Sequence, residues 1–291
     1  MSDATFDLNY SPPTARTTPP LTETGPSMSA LKRVLANLTA SRFAQRVLQK
    51  NVQLSQELMG IGSGAGVSAS GETVILDRLK EHSQGPYRIF DVGSNRGQFL
   101  TMALDHMQGR DVEVHCFEPG KQTFEHLVKT AAGKPKVHLN NIGLGAERSE
   151  AILHYDHAGS ELASLTKRKL DHFGMTNEGS ETVLIDTVDN YCAAKGIDRI
   201  DLLKVDIEGH ELDCFQGAKG MFAKKAIGLV TLEFGGANID TRTYFRDFWY
   251  FFEPLAMDLY RITPSGYLFK MDHYYETQEQ FRTTNFLAVR K

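Results

Sequence analysis

The sequence predicts an α/β chain, a mostly parallel sheet flanked by helices, and three stretches carry that prediction. Residues 88–100 run through Ile89 and Phe90 to Asp91, turn at Gly93 and Gly97, and resume apolar residues at helical spacing, which reads as strand, tight loop and helix. Residues 112–118 alternate as a strand and close on Glu118 before Pro119 and Gly120. Residues 200–212 hold an apolar strand core that ends in Asp206 and passes through Glu208, Gly209, His210 and Glu211 into helical residues. Strands alternating with helices stack into a parallel sheet, and an acid at a strand's carboxyl end sits where ligands of open α/β sheets bind.

Composition excludes several classes. At 291 residues the chain can bury a large core, and 41% hydrophobic with 23% charged residues is ordinary for a globular protein. A net charge of -4 gives no nucleic-acid-binding surface overall. The cysteines, Cys116, Cys192 and Cys214, are scattered and odd in number, so neither a disulfide framework nor a zinc site is expected, which suits a reducing cytoplasm. Neither a signal-peptide pattern nor a membrane-spanning apolar run is read, and the expected location is cytoplasmic.

In chain order, residues 1–27 are rich in Pro, Thr and Ser and are expected to be a disordered tail, because they bury too little to offset ordering entropy. Across 28–59, Leu31, Val34, Leu35 and Leu38, then Phe43, Val47 and Leu48, recur at helical spacing around a break near 39–41 and predict two amphipathic helices. Lys32, Arg33, Arg42, Arg46 and Lys50 precede the first acid, Glu57, so this pair either caps its own domain or makes a peripheral membrane or homo-oligomer contact. Five glycines in residues 60–71 read as a linker or a mobile loop. Residues 72–82 form a helix that Gly85 and Pro86 end.

The corner at 91–97 spaces Asp91, Gly93, Asn95 and Gly97, which is neither a dinucleotide fingerprint nor a phosphate loop. An acid beside the first glycine suits a ligand with a cationic amino group and repels a pyrophosphate; S-adenosylmethionine carries such a group. Taken alone, the corner is also an ordinary strand-to-helix turn. Glu118, at the end of the second strand, is placed to accept both ribose hydroxyls of an adenosine. Asn141, after a third strand at 136–142, is placed to reach the adenine edge.

Further strands are expected at 150–156 and 182–186, with 159–176 as an irregular insertion over the site. In the 200–212 block, Glu208 and Glu211 are explained by a helix N-terminus, whereas Asp206 projects from a strand end and is not. A fifth strand, 227–234, ends in Glu233. Seven aromatic or apolar positions between Tyr244 and Phe252 make a helix buried between sheet and extension rather than a sugar-stacking face. A hairpin-like pair flanks Pro264 and Gly266, and residues 285–290 supply the last strand.

Residues 91–97 (DVGSNRG), Phe117 to Pro119, 201–211 (DLLKVDIEGHE) and 285–289 (NFLAV) resemble the FkbM family of S-adenosylmethionine-dependent methyltransferases, over about residues 64–290. The resemblance implies the class I methyltransferase fold, a Rossmann-like seven-stranded sheet with the last strand antiparallel, behind an N-terminal helical extension. The expected division is a tail at 1–27, the extension and glycine-rich loop at 28–80, and the methyltransferase domain at 81–291. It also implies O-methylation of a sugar, glycan or related natural product. By position, Asp91, Gly93, Ser94, Asn95 and Gly97 would hold the methionine part of the cofactor and Glu118 its ribose; Ser94 stands where the family often has alanine.

A methyl acceptor needs in-line approach and a group to take its proton. Asp206 is the expected base or orienter, with Glu208, His210 and Glu233 supporting, and Asp206 with Glu233 would also suit Mg²⁺. Two other readings are a nicotinamide-dependent oxidoreductase, whose glycine pattern is missing, and a non-catalytic cofactor-binding scaffold. Acceptor specificity is expected from 159–176, the aromatic helix and residues 273–275.

Overall fold

The structure, a computed structural model, describes residues 30–63, 71–176 and 178–291. The expected tail and residues 64–70 of the glycine-rich stretch lie outside the described residues. Helices α1 (Ala30–Leu38) and α2 (Arg42–Leu58) break where expected, and Ser41 caps α2 by accepting from the Ala44 amide at 3.1 Å. The chain divides into two units, Met1–Val52 and Gln53–Lys291. In the first, Val34, Leu35, Leu38, Phe43 and Val47 are exposed.

The second unit follows the expected alternation. Helix α3 (Thr73–His82) leads to β1 (Tyr87–Val92), α4 (Gln98–His106), β2 (Val112–Phe117), α5 (Lys121–Thr130) and β3 (Val137–Asn140). Strands β4 (Gly143–Leu144), β5 (Ser149–Tyr155) and β6 (Gly179–Asp186) form a separate small sheet in the order β4-β6-β5. Then come α6 (Val188–Lys195), β7 (Ile200–Val205), α7 (Glu211–Gln216), α8 (Lys219–Ala223), β8 (Ile227–Phe234), α9 (Ala237–Thr241), α10 (Phe245–Phe252), β9 (Met257–Ile262), β10 (Leu268–Lys270) and β11 (Thr284–Arg290).

The main sheet has the order β10-β9-β11-β8-β7-β1-β2-β3. Strands β3, β2, β1, β7 and β8 run parallel, and β11 inserts antiparallel between β8 and β9. This is the seven-stranded methyltransferase sheet with its last strand antiparallel. An eighth strand, β10, is added at the edge, because the turn at 263–267 folds it back antiparallel on β9. The Thr263 hydroxyl accepts from the Tyr267 amide at 3.0 Å and fixes that turn.

The order of β1 next to both β2 and β7 puts the ends of the two acid-bearing strands on either side of the β1 corner. Alternation along each strand divides the core into two layers. On one face Phe90, Val92, Val205 and Val230 pack with Val188, Phe215, Phe222 and Phe248; on the other Ile89, Val114, Leu202 and Leu229 meet Leu76, Leu100 and Leu127.

Helix α10 belongs to the first layer. Phe245, Phe248 and Phe252 are fully buried, with Phe248 6.2 Å from the rings of both Phe215 and Phe234, whereas Tyr250 on the opposite side is exposed. Its entry is fixed by Glu279, whose carboxylate accepts from the amides of Phe245 at 2.8 Å and Arg246 at 2.9 Å. Phe248→Ala removes a ring from a site that cannot collapse, so a loss of about 3–5 kcal/mol is expected in urea unfolding.

Candidate functional site

The β1 corner is shaped by where backbone can pass. Gly93 has φ 78° and lies so close to the neighbouring strand end that a Cβ there would sit 1.8 Å from the Asp206 carbonyl oxygen. Only glycine fits both constraints. Asn95 is also left-handed, at φ 48°, which turns its amide towards the second strand end. There Glu118 accepts from the Asn95 amide at 3.0 Å with one oxygen and from the Gly120 amide at 2.9 Å with the other. The carboxylate thus ties the loop after β1 to the loop after β2. Burial pushes the Glu118 carboxyl up to about 7, against these two amides and the Lys204 charge.

Asp91 is fully buried beneath this loop and does not line the cavity above it. Its Oδ1 lies 3.4 Å from the Lys204 ammonium, which is also 3.4 Å from Asp206 Oδ2 and donates to the Gly93 carbonyl at 3.1 Å. Burial raises the Asp91 carboxyl despite Lys204. For Lys204 burial acts the other way, but Asp206 and Asp91 outweigh it and hold the ammonium above its ordinary range. The Ser94 hydroxyl donates to the Asp91 carbonyl at 2.7 Å and pins the corner from inside.

The opposite wall comes from β7 and β8. Val205 pairs with Leu232, so Asp206 and Glu233 stand on the next rung of parallel neighbours. Glu208 holds a left-handed backbone at φ 52°, a strained conformation for this residue type, and its Oε2 meets the Arg168 guanidinium at 2.5 Å. Burial pushes Glu208 up to about 8, with Arg168 opposing. Glu233 is raised well above the ordinary carboxylate range by burial, then by Asp206, Glu208, Glu211 and Glu72. His210 is held between Asp213 Oδ2 at 2.8 Å and the Thr166 hydroxyl at 3.0 Å. Glu211 turns inward, and its Oε1 accepts from the amides of Ile207 at 3.1 Å and Gly209 at 3.0 Å, so it shapes the loop from below.

These walls enclose a cavity of about 1130 Å³. Gly93, Ser94, Asn95 and Glu118 line one side; Asp206, Glu208, His210 and Glu233 line the other. Residues 160–165 with Arg168 cover it, where the insertion was expected, and Gly62 and Glu72 reach it from before residue 81. Gly97 is outside the lining and serves instead as the left-handed start of α4 at φ 90°. Asn141 is exposed and outside the lining, and its amide donates to the carbonyls of Glu118 at 2.8 Å and Pro119 at 3.0 Å. Helix α10 and residues 273–275 do not reach the cavity either, since the apolar face of α10 is spent on the core.

Asp206 and Glu233 belong to no group of three metal-ligating side chains; among the described residues that grouping occurs at Glu113, His115 and His138. Lys204, Arg168 and Glu72 were missed from sequence. A lysine inside the apolar run of β7 was the available signal for the first; Arg168 meets Glu208 across 40 residues and left none.

The raised acids make a signed statement about stability. A carboxyl whose folded pKa lies above its unfolded value stabilises the fold while protonated and loses that contribution as pH rises through the folded value. His115 and His82, lowered from 6.5 chiefly by burial, act below that value, so between pH 6.5 and 8 Glu118 and Glu208, pushed up to about 7 and about 8, lower the stability as pH rises. The ligand-free protein should melt at a lower temperature at pH 8 than at pH 6.5, and Glu208→Gln should flatten the difference; an unchanged slope in scanning calorimetry contradicts it.

The model of the methyltransferase FkbM domain matches residues 91–258, more than half of the chain. Hexuronic acid methyltransferase AglP of Haloferax volcanii is 24% identical over 163 residues, covering 56% of this chain and 62% of AglP. Among solved structures, methyltransferase FkbM from Methylobacillus flagellatus aligns with a TM-score of 0.41 at 13% identity, over 82% of this chain and 59% of that one. Cofactor-bound Rv0187 from MTB aligns at 0.43 and 11% identity, over 88% and 95%. The fold rests on the strand order above and not on these scores, and the chain spans about three fifths of AglP and of the Methylobacillus protein. With a family match that starts at the buried acid of the β1 corner and runs through both walls of the cavity, this chain belongs to the FkbM methyltransferase family.

Proposed function

We propose that the chain is an S-adenosylmethionine-dependent O-methyltransferase acting on a hydroxyl of a sugar, glycan or related natural product. The observation that carries this reading is the single cavity wall that joins a glycine corner to Glu118, facing a second wall of acids. The residues present suit the cofactor. Glu118 uses one lone pair of each oxygen on backbone amides and keeps the others for two ribose hydroxyls. Gly93 leaves room where any side chain would collide, and the surplus of carboxylates over Lys204 and Arg168 suits a ligand bearing ammonium and sulfonium charges. A cavity of about 1130 Å³ exceeds the range of roughly 300–1,000 Å³ usual for one small ligand, which leaves space for an acceptor beside the cofactor.

Bound there, S-adenosylmethionine would supply an electrophilic methyl group. The chain's part is to orient the acceptor hydroxyl and remove its proton. Asp206, with 41% of its side chain exposed on the cavity floor, accepts a hydrogen bond from the acceptor and aims it. Glu233, with its high proton affinity, takes the hydroxyl proton when ionised. Glu208 and His210, each fixed by its own partner, shape the acceptor side. Residues 160–165 exclude water from above. The hexuronic acid named for AglP makes glycans the first acceptors to examine.

Wild type is expected to bind S-adenosylhomocysteine and not NAD, and to transfer labelled methyl to a member of a panel of neutral and uronic oligosaccharides. Asp206→Asn and Glu233→Gln should each lower turnover by about 10²-fold or more while retaining cofactor binding. NAD binding in place of S-adenosylhomocysteine overturns the reading, and binding without transfer to any acceptor favours a scaffold.

We also infer that the first unit rests on an anionic membrane surface. Val34, Leu35, Leu38, Phe43, Val47, Leu48 and Val52 are exposed, and Arg42, Arg46 and Lys50 accompany them with no acid within α1 or α2 before Glu57. An amphipathic helix of that charge inserts its apolar side at the headgroup boundary while the long cationic side chains stay in water. Vesicles containing phosphatidylglycerol should sediment the full chain, neutral vesicles should not, and Phe43→Glu with Val47→Glu should release it. A stable dimer that covers these residues and ignores vesicles contradicts this.

A further inference from the structure

A second chemical cluster lies away from the cavity, on β2 and the edge strand β3. Glu113 and His115 are two apart on β2 and share a face, and His115 pairs in register with His138 of β3. Glu113 Oε1 is 2.9 Å from His138 Nε2 and 3.4 Å from His115 Nε2. All three ligand atoms fall within 4.8 Å of one another. Zinc bonds of about 2.0–2.1 Å in a tetrahedron place ligand atoms roughly 3.3 Å apart, and the two measured distances bracket that value.

An independent observation points the same way. His115 is 3% exposed, and its Nε2 is buried with no hydrogen-bond partner, aimed at the Glu113 carboxylate. Its other nitrogen, Nδ1, lies 2.9 Å from the Tyr191 hydroxyl. Donation from Nδ1 to that oxygen leaves a bare lone pair at Nε2, which is how buried metal-ligating histidines are fixed by an outer hydrogen bond. Arg88 Nε occupies the other Glu113 carboxylate oxygen at 2.8 Å and leaves Oε1 to the histidines.

We propose that Glu113, His115 and His138 form a binding site for a divalent transition metal, zinc by its ligand set. The side chain of His138 is 48% exposed, which provides the approach path and leaves the fourth position to water. The His115 and His138 rings stack with centroids 4.4 Å apart, so the exposed ring turns on binding while the buried one stays. The metal would pin edge strand β3 to β2, at the far end of the strand from Glu118. None of the three residues lines the cavity.

The test is Co²⁺ titration of the full-length, untagged protein followed by displacement with Zn²⁺. One equivalent should bind with the visible d–d bands of a four-coordinate site, and Zn²⁺ should bleach them. His138→Ala, an exposed substitution whose folding is checked by circular dichroism, and Glu113→Gln should each weaken binding by at least about 10-fold. Absence of the bands in wild type, or equal affinity in wild type and His138→Ala, overturns the proposal and leaves the cluster as a hydrogen-bonded pairing of two strands.

Discussion

The buried ammonium of Lys204 is the interaction on which the candidate site depends. It sits among Asp91, Asp206 and the Gly93 carbonyl, at 3.4, 3.4 and 3.1 Å, and so joins the ends of β1 and β7. Two carboxylates on adjacent parallel strands would otherwise repel across low-dielectric space, and a buried charge without a partner is costly. One cation shared between them sets the corner's position. The Gly93 carbonyl that it binds belongs to the loop that Glu118 holds from the other side through the Asn95 amide.

That shared cation does not neutralise the pocket. Glu118, Glu208 and Glu233 all carry raised proton affinities because they are buried together at strand ends, and Arg168 offsets one of them. A protein keeps such an arrangement at a cost in stability, and surplus negative charge in a cleft is relieved by a cationic ligand. Perturbed carboxylates gathered in one cavity are the usual physical mark of a functional site. The same surplus raises the proton affinity of Glu233, which suits the base we propose.

The additions to the basic sheet serve the cavity unequally. The segment between β5 and β6 covers the opening, with Ser164 donating to the Glu208 carbonyl at 2.8 Å and Arg168 meeting its carboxylate. Those two contacts hold Glu208 in its left-handed conformation. Strand β10, by contrast, extends the sheet at its far edge, and helix α10 covers one face of it over β8 and β11. The aromatic content of α10 follows from packing in one layer of phenylalanines, with Phe215 between Phe222 and Phe248.

Periodicity and strand-end acids determined the element types, the parallel core and the break between the first two helices, because those patterns are local, whereas the antiparallel direction of the last strand came from the family resemblance. The glycine corner, Glu118, Asp206 and Glu233 were legible for the same reason: a residue at the end of a βα strand must lie at the sheet's carboxyl edge. Only the tertiary structure separated Asp91, buried under Gly93, from Asp206, open to the cavity, although both end parallel strands. Only it turned Asn141 onto the loop backbone, brought Arg168 to Glu208, set Lys204 between two acids and joined His138 to His115. Each of these depends on at least one contact across 22 or more residues and on which side of a strand or loop faces solvent, and neither is encoded in local spacing.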